Sequence, residues 1–351
     1  MKGRCFAVLL TTTVIVALAP VPAVGPTALG RFVAVAVAAG EGAQAPAAAL
    51  RTTWGDPDLQ GVWNNNTSTP LERPDALGDK ALLTNEERAA FTAQRQASRE
   101  DRDSREGRGT DVDVRRAYNA LWFPVPGEAI NRTSLILNPE DGKIPSLTSA
   151  GQQRADARRG FRRTAPTGPE DRSLWERCIT RGVPRTPGGY NNHFQIFQTP
   201  GHVVILIEMV HEARIIPLDG SSHIEPALRQ WLGDSRGHWD GDTLVIETTN
   251  FTGKTNFRGS GEGLHLVERF TRVDADTLNY EFTVDDPTTW TKPWTAAWPL
   301  SSLRAEVGGL DEVQLPEMFE YACHEGNYGL VGQLGGARAD ERAAAATQGS
   351  R

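Results

Sequence analysis

The second half of the chain alternates short β-prone segments with tight turns, and this pattern limits the fold more than any other feature. The turns combine Gly, Pro and Asp, residues that terminate strands. Consecutive strands joined so tightly pair antiparallel, because a parallel connection needs a long crossover. The predicted strands cover residues 194–198, 202–210, 214–218, 243–251, 264–273, 277–285, 294–300 and 318–323, after a first short strand at 59–64.

Several predicted strands alternate apolar and polar residues, which indicates one buried face. In 277–285, Tyr280, Phe282 and Val284 share one face and polar residues share the other. So many antiparallel strands in series favour closure into a barrel or a sandwich, because closure removes exposed sheet edges. We predict a mainly β fold, an antiparallel barrel formed by a single domain over residues 46–335.

A few helices are predicted ahead of the strands, in an N-terminal excursion at about residues 80–182. Thr84 and Glu87 match a capping box at the start of the first helix. A second helix is predicted to begin near residue 148 and run towards 163. A third is predicted over 169–181, with Pro at its first turn and Gly directly after its end.

The first 45 residues have the composition of a secretory signal followed by a linker. Lys2 and Arg4 precede an apolar run over residues 6–19, and prolines then break this run before it could span a bilayer. The alternative is an uncleaved anchor. We predict a periplasmic or secreted protein without a stable membrane span, and a flexible tail at 336–351.

The charge balance excludes one class of partner. The formal net charge is -7, and no stripe of Lys and Arg interleaved with aromatic residues occurs. An acidic surface repels phosphate backbones, so we predict no nucleic-acid partner. The partner that we predict is a small-molecule ligand, on the evidence of the tryptophans described below.

Cys178 and Cys323 are the cysteines left after the signal segment. Two cysteines in an oxidising compartment are more often paired than free, so we predict a disulfide between them. The alternative is two buried, reduced thiols.

Two resemblances add to this reading. Gly61-Val62-Trp63 on the first predicted strand resembles the Gly-x-Trp signature of lipocalins, members of the calycin superfamily. In that superfamily the tryptophan closes the base of the barrel, commonly against a basic residue of a late strand. The resemblance implies a calycin-like barrel. Residues 233–249 and 320–329 resemble an uncharacterised exported bacterial family, which implies no activity.

Two partial motifs for catalysis or metal binding occur, and neither has the structural context that its chemistry needs. Residues 233–237 match the Gly-x-Ser-x-Gly pattern of hydrolases, but that motif needs a strand before it and a helix after it. Here a strand follows, so we interpret the segment as a turn between strands. His223 and Glu225 could supply two arms of a metal site, yet Pro226 places them in a loop. We predict no metal and no other cofactor.

Glu208 and His211 are the first candidates for acid–base chemistry, because they follow a very apolar predicted strand. Burial would raise the pKa of Glu208 and suit it to proton transfer. The alternative is a salt bridge from Glu208 or Glu212 to Arg214 across a hairpin. His324 and Glu325 are the other two candidates, since the predicted disulfide would fix them in place.

Ligand-binding candidates combine hydrogen-bonding groups at the start of the strand region with tryptophans at every fourth position. The tryptophans could line a cavity or simply form core. The candidates are Tyr190, Asn191, Asn192, Trp290, Trp294 and Trp298. Two functions follow: a protein that encloses a small apolar or aromatic molecule, or a cofactor-free isomerase, cyclase, lyase or hydrolase that acts on one. A structural envelope protein is the less favoured third alternative.

Overall fold

In a computed structural model of the protein, the strands form one curved antiparallel sheet. The structure describes residues 50–101, 127–163, 166–188, 190–254, 257–303, 318 and 320–349, which belong to one compact unit, Ala45–Arg351. Ten strands occur in these residues. They are β1 Gly61–Asn64, β2 Ile136–Asn138, β3 His193–Thr199, β4 His202–Ile207, β5 Glu212–Pro217, β6 Asp234–Asp240, β7 Thr243–Thr249, β8 His265–Arg272, β9 Thr277–Asp285 and β10 Trp294–Ser302.

The sheet closes almost completely into a barrel. Its order is β5-β4-β3-β1-β10-β9-β8-β7-β6, and β2 pairs with β10 off this path. The two end strands lie side by side: a Cβ added at Gly237 on β6 would come within 2.9 Å of the Ile216 side chain on β5. No backbone ladder joins β5 to β6 in the described residues. The predicted mainly β, antiparallel barrel is therefore confirmed, with one open seam.

Alternation along the strands fills the barrel interior. On β9, Leu278, Tyr280, Phe282 and Val284 are fully buried while the residues between them are partly exposed. This is the face that the sequence pattern predicted. The same alternation on β10 places both of its tryptophans in the core.

Three helices accompany the sheet in the described residues: α1 Asn85–Glu100, α2 Ser149–Arg163 and α3 Tyr328–Gly349. Thr84 caps α1 as predicted, because its side chain accepts from the Glu87 N–H at 3.3 Å and the Glu87 carboxylate accepts from the Thr84 N–H at 2.8 Å. The start of α2 is also close to its predicted position. The segment predicted as a flexible tail begins inside α3.

Three predicted elements were wrong. The helix at 169–181 is a single 3-10 turn, Pro169–Asp171, and the backbone turns through a positive φ at Cys178. The strand at 318–323 is absent from the described part of that segment, where Cys323 lies in a tight turn. The turn at 233–237 is instead the start of β6, which pairs residue by residue with β7.

A disulfide joins Cys178 to Cys323, as predicted, with the two Cα atoms 5.6 Å apart. It connects the chain ahead of β3 to the start of α3, and Asn327 adds a hydrogen bond of 3.2 Å to the Glu176 carbonyl. The predicted signal segment lies outside the described residues. Within them, no helix is both long enough and apolar enough to cross a membrane.

Candidate functional site

An ion pair lies inside the barrel, which is unusual for a space that strands normally fill with apolar side chains. Arg214 Nη2 on β5 is 2.6 Å from Glu268 Oε2 on β8, and both side chains are almost completely buried. Tyr280 donates its hydroxyl to Glu268 Oε1 at 2.7 Å. Arg214 also donates to the hydroxyls of Ser235 and Thr248, at 3.1 and 3.2 Å. These side chains link β5 through β9 across the open seam.

The electrostatics of this pair follow from its burial. Burial alone would lower the pKa of Arg214, but the charge of Glu268 raises it overall. Burial and then the Glu268 charge raise the pKa of Tyr280 well above its usual value. Arg214 therefore stays charged and Tyr280 stays a neutral donor at any physiological pH.

Arg185, in the segment that leads into β3, interacts electrostatically with Tyr280 and Glu212. Its side chain is 6% exposed, and Nη2 donates to the Asn192 side-chain oxygen at 3.1 Å. Its Nε has no partner, and no carboxylate of the described residues forms an ion pair with it. Burial, and then the neighbouring charge of Arg181, lower the pKa of Arg185 to about 10.

Glu212, the first residue of β5, faces the same region. Its Oε1 accepts a hydrogen bond from the Arg181 N–H, and the Thr180 hydroxyl also stabilises the carboxylate. Burial raises the pKa of this carboxyl. We call Arg185, Glu212, Arg214, Glu268 and Tyr280 the buried charge cluster.

The predicted ligand-binding tryptophans border the buried charge cluster. Trp294 and Trp298 pack edge-on against Phe282, with ring centroids 5.4 and 5.8 Å apart, and Trp298 is 5.1 Å from Tyr280. Trp290 lies 5.8 Å from Trp294. The three indoles therefore lie together in one aromatic group that meets the charge cluster at Tyr280.

The three predicted polar ligand-binding residues have different partners in the structure. Asn192 belongs with the charge cluster: besides accepting from Arg185, it donates to the Gly188 carbonyl at 2.8 Å. Asn191 instead donates to Glu208 at 3.0 Å. Tyr190 is half-buried, with its ring centre 6.4 Å from that of Trp175, and it interacts electrostatically with Arg181.

Glu208 meets a histidine that the sequence analysis did not nominate. Its Oε2 is 2.6 Å from His193 Nδ1 at the start of β3. Burial would raise the pKa of Glu208, but the hydrogen bond and charge of His193, with a further bond from Asn191, lower it overall. The expected direction of this pKa was therefore wrong. So was the alternative salt bridge, because Arg214 pairs with Glu268 and forms none with Glu208 or Glu212.

The other predicted catalytic residues do not converge with Glu208. His211 is exposed on the short 3-10 turn Met209–His211, and His324 and Glu325 are exposed in the turn after Cys323. No hydrogen bond or ion pair joins the side chains of these four residues in the described structure. His223 pairs with Asp234 at 2.8 Å, and the described residues contain no group of three metal-ligating side chains.

A cleft of about 340 Å³ lies beside the barrel, between α1 and the chain that follows β1. Thr67, Phe91 and Arg258 line it, together with Thr186 and Pro187, the two residues that follow Arg185. Its volume falls in the range of small-molecule sites. The cleft therefore adjoins the segment that carries Arg185.

Sequence reasoning missed Arg185 and Glu268, and misjudged Arg214. A signal existed for Glu268: on β8 it alternates with Leu266 and Phe270, so it shares their buried face. Arg185 lies in an irregular segment whose periodicity reveals no face.

No known protein family matches this chain. No curated protein sequence matches it either.

Proposed function

We propose that the chain is a small-molecule-binding protein whose barrel takes up a ligand with an aromatic or apolar body and a polar group. The observation that carries this proposal is a pair of buried guanidinium nitrogens without a hydrogen-bond partner, Arg185 Nε and Arg214 Nε. Buried polar groups without partners cost free energy, and native proteins retain few of them. A ligand that supplies the missing partners would offset that cost.

The aromatic group supports the first half of the ligand description. Tyr280 and Trp298 are fully buried where the aromatic rings meet the charges, so a planar apolar body that entered the barrel would pack against their rings. Tyr280 also keeps its proton, so its hydroxyl serves as a fixed donor. A molecule with both an apolar and a polar part would match these aromatic and charged side chains better than a purely apolar one.

We also propose a calycin-like relationship. Arg272 at the end of β8 lies over the indole of Trp63, 5.2 Å from the ring centroid. This contact supports the proposal because it joins the Gly-x-Trp tryptophan to a basic residue of a late strand. The open seam and the helices are departures from a plain eight-stranded lipocalin barrel.

We propose that the protein is exported to the periplasm or secreted. The disulfide supports this location, because disulfides persist in oxidising compartments and are rare in the cytosol. The signal-like composition of the first residues points the same way.

The binding proposal can be tested by fluorescence and thermal shift with a panel of planar aromatic compounds. Trp54 and Trp231 are the exposed tryptophans in the described residues, so the variant Trp54→Phe/Trp231→Phe reports mainly on the buried indoles. We expect at least one compound to change its emission and raise its Tm. Binding would be refuted if no compound did either.

Acid–base catalysis on such a ligand is a second candidate, which the His193–Glu208 pair favours. A carboxylate that orients a histidine through Nδ1 leaves Nε2 available for proton transfer. Prolonged incubation of each bound compound, followed by mass spectrometry, would reveal turnover. If wild type and His193→Gln leave every bound compound unchanged, only the binding function stands.

A further inference from the structure

We propose that Arg185, with Arg181 beside it, holds an oxyanion group of the ligand, such as a carboxylate or a phosphate. This inference rests on the proposed binding function and deepens it by naming the chemical class of the ligand. The group would complete the hydrogen bonds of a buried guanidinium that the protein itself leaves incomplete.

The first argument compares the three arginines that are buried in the described residues, Arg73, Arg185 and Arg214. Arg214 has a carboxylate partner in Glu268. Arg73 donates from Nε to Thr133 at 3.0 Å and from Nη2 to the Glu140 carbonyl at 2.8 Å, as a structural arginine does. Arg185 has one uncharged acceptor and an unpartnered Nε. Burying a charge with so little compensation is expensive, which points to a missing anion.

The second argument is the sign of the surrounding charge. After burial, the charge of Arg181 is the main influence that lowers the pKa of Arg185, and Glu212 opposes it less strongly. Arg181 is itself held in place, with its guanidinium 4.4 Å from the ring centre of Trp175. An oxyanion between the two arginines would relieve their repulsion.

The third argument is preorganisation. The Arg185 carbonyl accepts from the Asn65 amide at 3.2 Å, and Asn65 in turn accepts from the Trp298 indole at 2.7 Å. Asn192 fixes the other end of the residue through Nη2. A residue held both at its backbone carbonyl and at one guanidinium nitrogen loses less freedom on binding than an unrestrained one, which favours recognition. Trp298 also ties this site to the aromatic group that would contact the ligand body.

The test uses the whole protein after removal of the predicted signal segment, with three probes: 2-naphthoate, its neutral isostere 2-naphthamide, and inorganic phosphate. We expect naphthoate to bind wild type at least about tenfold more tightly than naphthamide, because charge-assisted hydrogen bonds are the stronger kind. Arg185→Gln should remove most of that preference. Arg269→Gln is the matched control, since it deletes an arginine from the outer surface of β8 and should preserve the preference.

The outcomes separate the two proposals. Equal binding of naphthoate and naphthamide to wild type would overturn the oxyanion site, while the binding function would stand. This comparison uses wild type alone, so it does not depend on whether a variant folds. Failure of all three probes would overturn both. Arg185-dependent binding of phosphate alone would support the oxyanion site with a free anion as its ligand, and would contradict the aromatic part of the proposed function.

Discussion

Arg214 and Glu268 form an ion pair that spans the barrel interior from β5 to β8, with Nη2 2.6 Å from Oε2. The neighbours of Arg214 on β6 and β7 are Ser235 and Thr248, whose hydroxyls also lie 2.9 Å from each other. These bonds cross the seam where β5 and β6 lack a backbone ladder. Side chains therefore hold together the part of the barrel that main-chain hydrogen bonds leave open.

Removing one partner of this pair should destabilise the fold strongly. We expect Glu268→Leu or Arg214→Met to lower the free energy of unfolding by about 3–5 kcal/mol, because each leaves a buried group without its partner. The double variant Arg214→Met/Glu268→Leu should cost less than the sum of the two single changes. Urea unfolding of the four proteins measures this. Additive losses would show that the two residues act independently.

The Glu208–His193 pair should make stability depend on acid pH. Since the pKa of Glu208 is below its unfolded value of 4.5, the pair stabilises the fold above about that pH. This contribution is lost as the pH falls through the lowered pKa of the folded state, where Glu208 is protonated. Glu208→Gln should therefore unfold more easily at neutral pH and lose stability less steeply in acid.

Chemical unfolding between pH 3 and pH 7, at about half-unit steps, tests this sign. Glu247→Gln is a suitable control because Glu247 is exposed on the outer face of β7. An unchanged acid slope in Glu208→Gln would contradict the assigned role of the pair.

Loss of the Cys178–Cys323 bond should weaken the fold substantially. The two residues are 145 positions apart, and the chain-entropy model gives about 4–5 kcal/mol for a loop of that length. We expect Cys178→Ser/Cys323→Ser to unfold at a clearly lower urea concentration than oxidised wild type, and to match wild type reduced with dithiothreitol. If reduction did not shift the midpoint of wild type, the bond would contribute nothing to stability.

The sequence predicted the barrel but not the residues that close it. On β5 the pattern allows either Ile215 or Arg214 to face inward, and hydrophobicity favours Ile215. The structure exposes Ile215 and buries Arg214. Arg214 faces inward because it pairs with Glu268 on β8, which lies three strands away across the seam. No local sequence pattern could connect these two residues.

Gly237 explains why the sequence analysis predicts a turn where the structure has the start of β6. Its motif was interpreted as a turn because glycines commonly terminate strands. In the structure it lies within β6, where an added Cβ would approach Ile216 and Leu218 to 2.9 and 2.6 Å. A glycine inside a strand often marks a close approach of another chain segment, and here it lets β5 and β6 lie together at the seam. That requirement depends on tertiary packing, so the sequence alone gave no way to recognise it.

Arg272 should contribute more to stability than an ordinary surface arginine, because it joins β8 to the chain around β1. Besides lying over Trp63, it donates to the Asp58 carbonyl at 2.7 Å and the Ala275 carbonyl at 2.7 Å. We expect Arg272→Met to cost about 2 kcal/mol, from the lost cation–π contact and charge-assisted hydrogen bonds. Arg269→Met, on the same strand, removes a half-exposed ion pair with Asp240 and the attraction to Glu281 across the strand pair, and should cost about 1 kcal/mol or less. Urea unfolding compares the two variants, and equal losses would mean that the contact with Trp63 does not help to close the barrel.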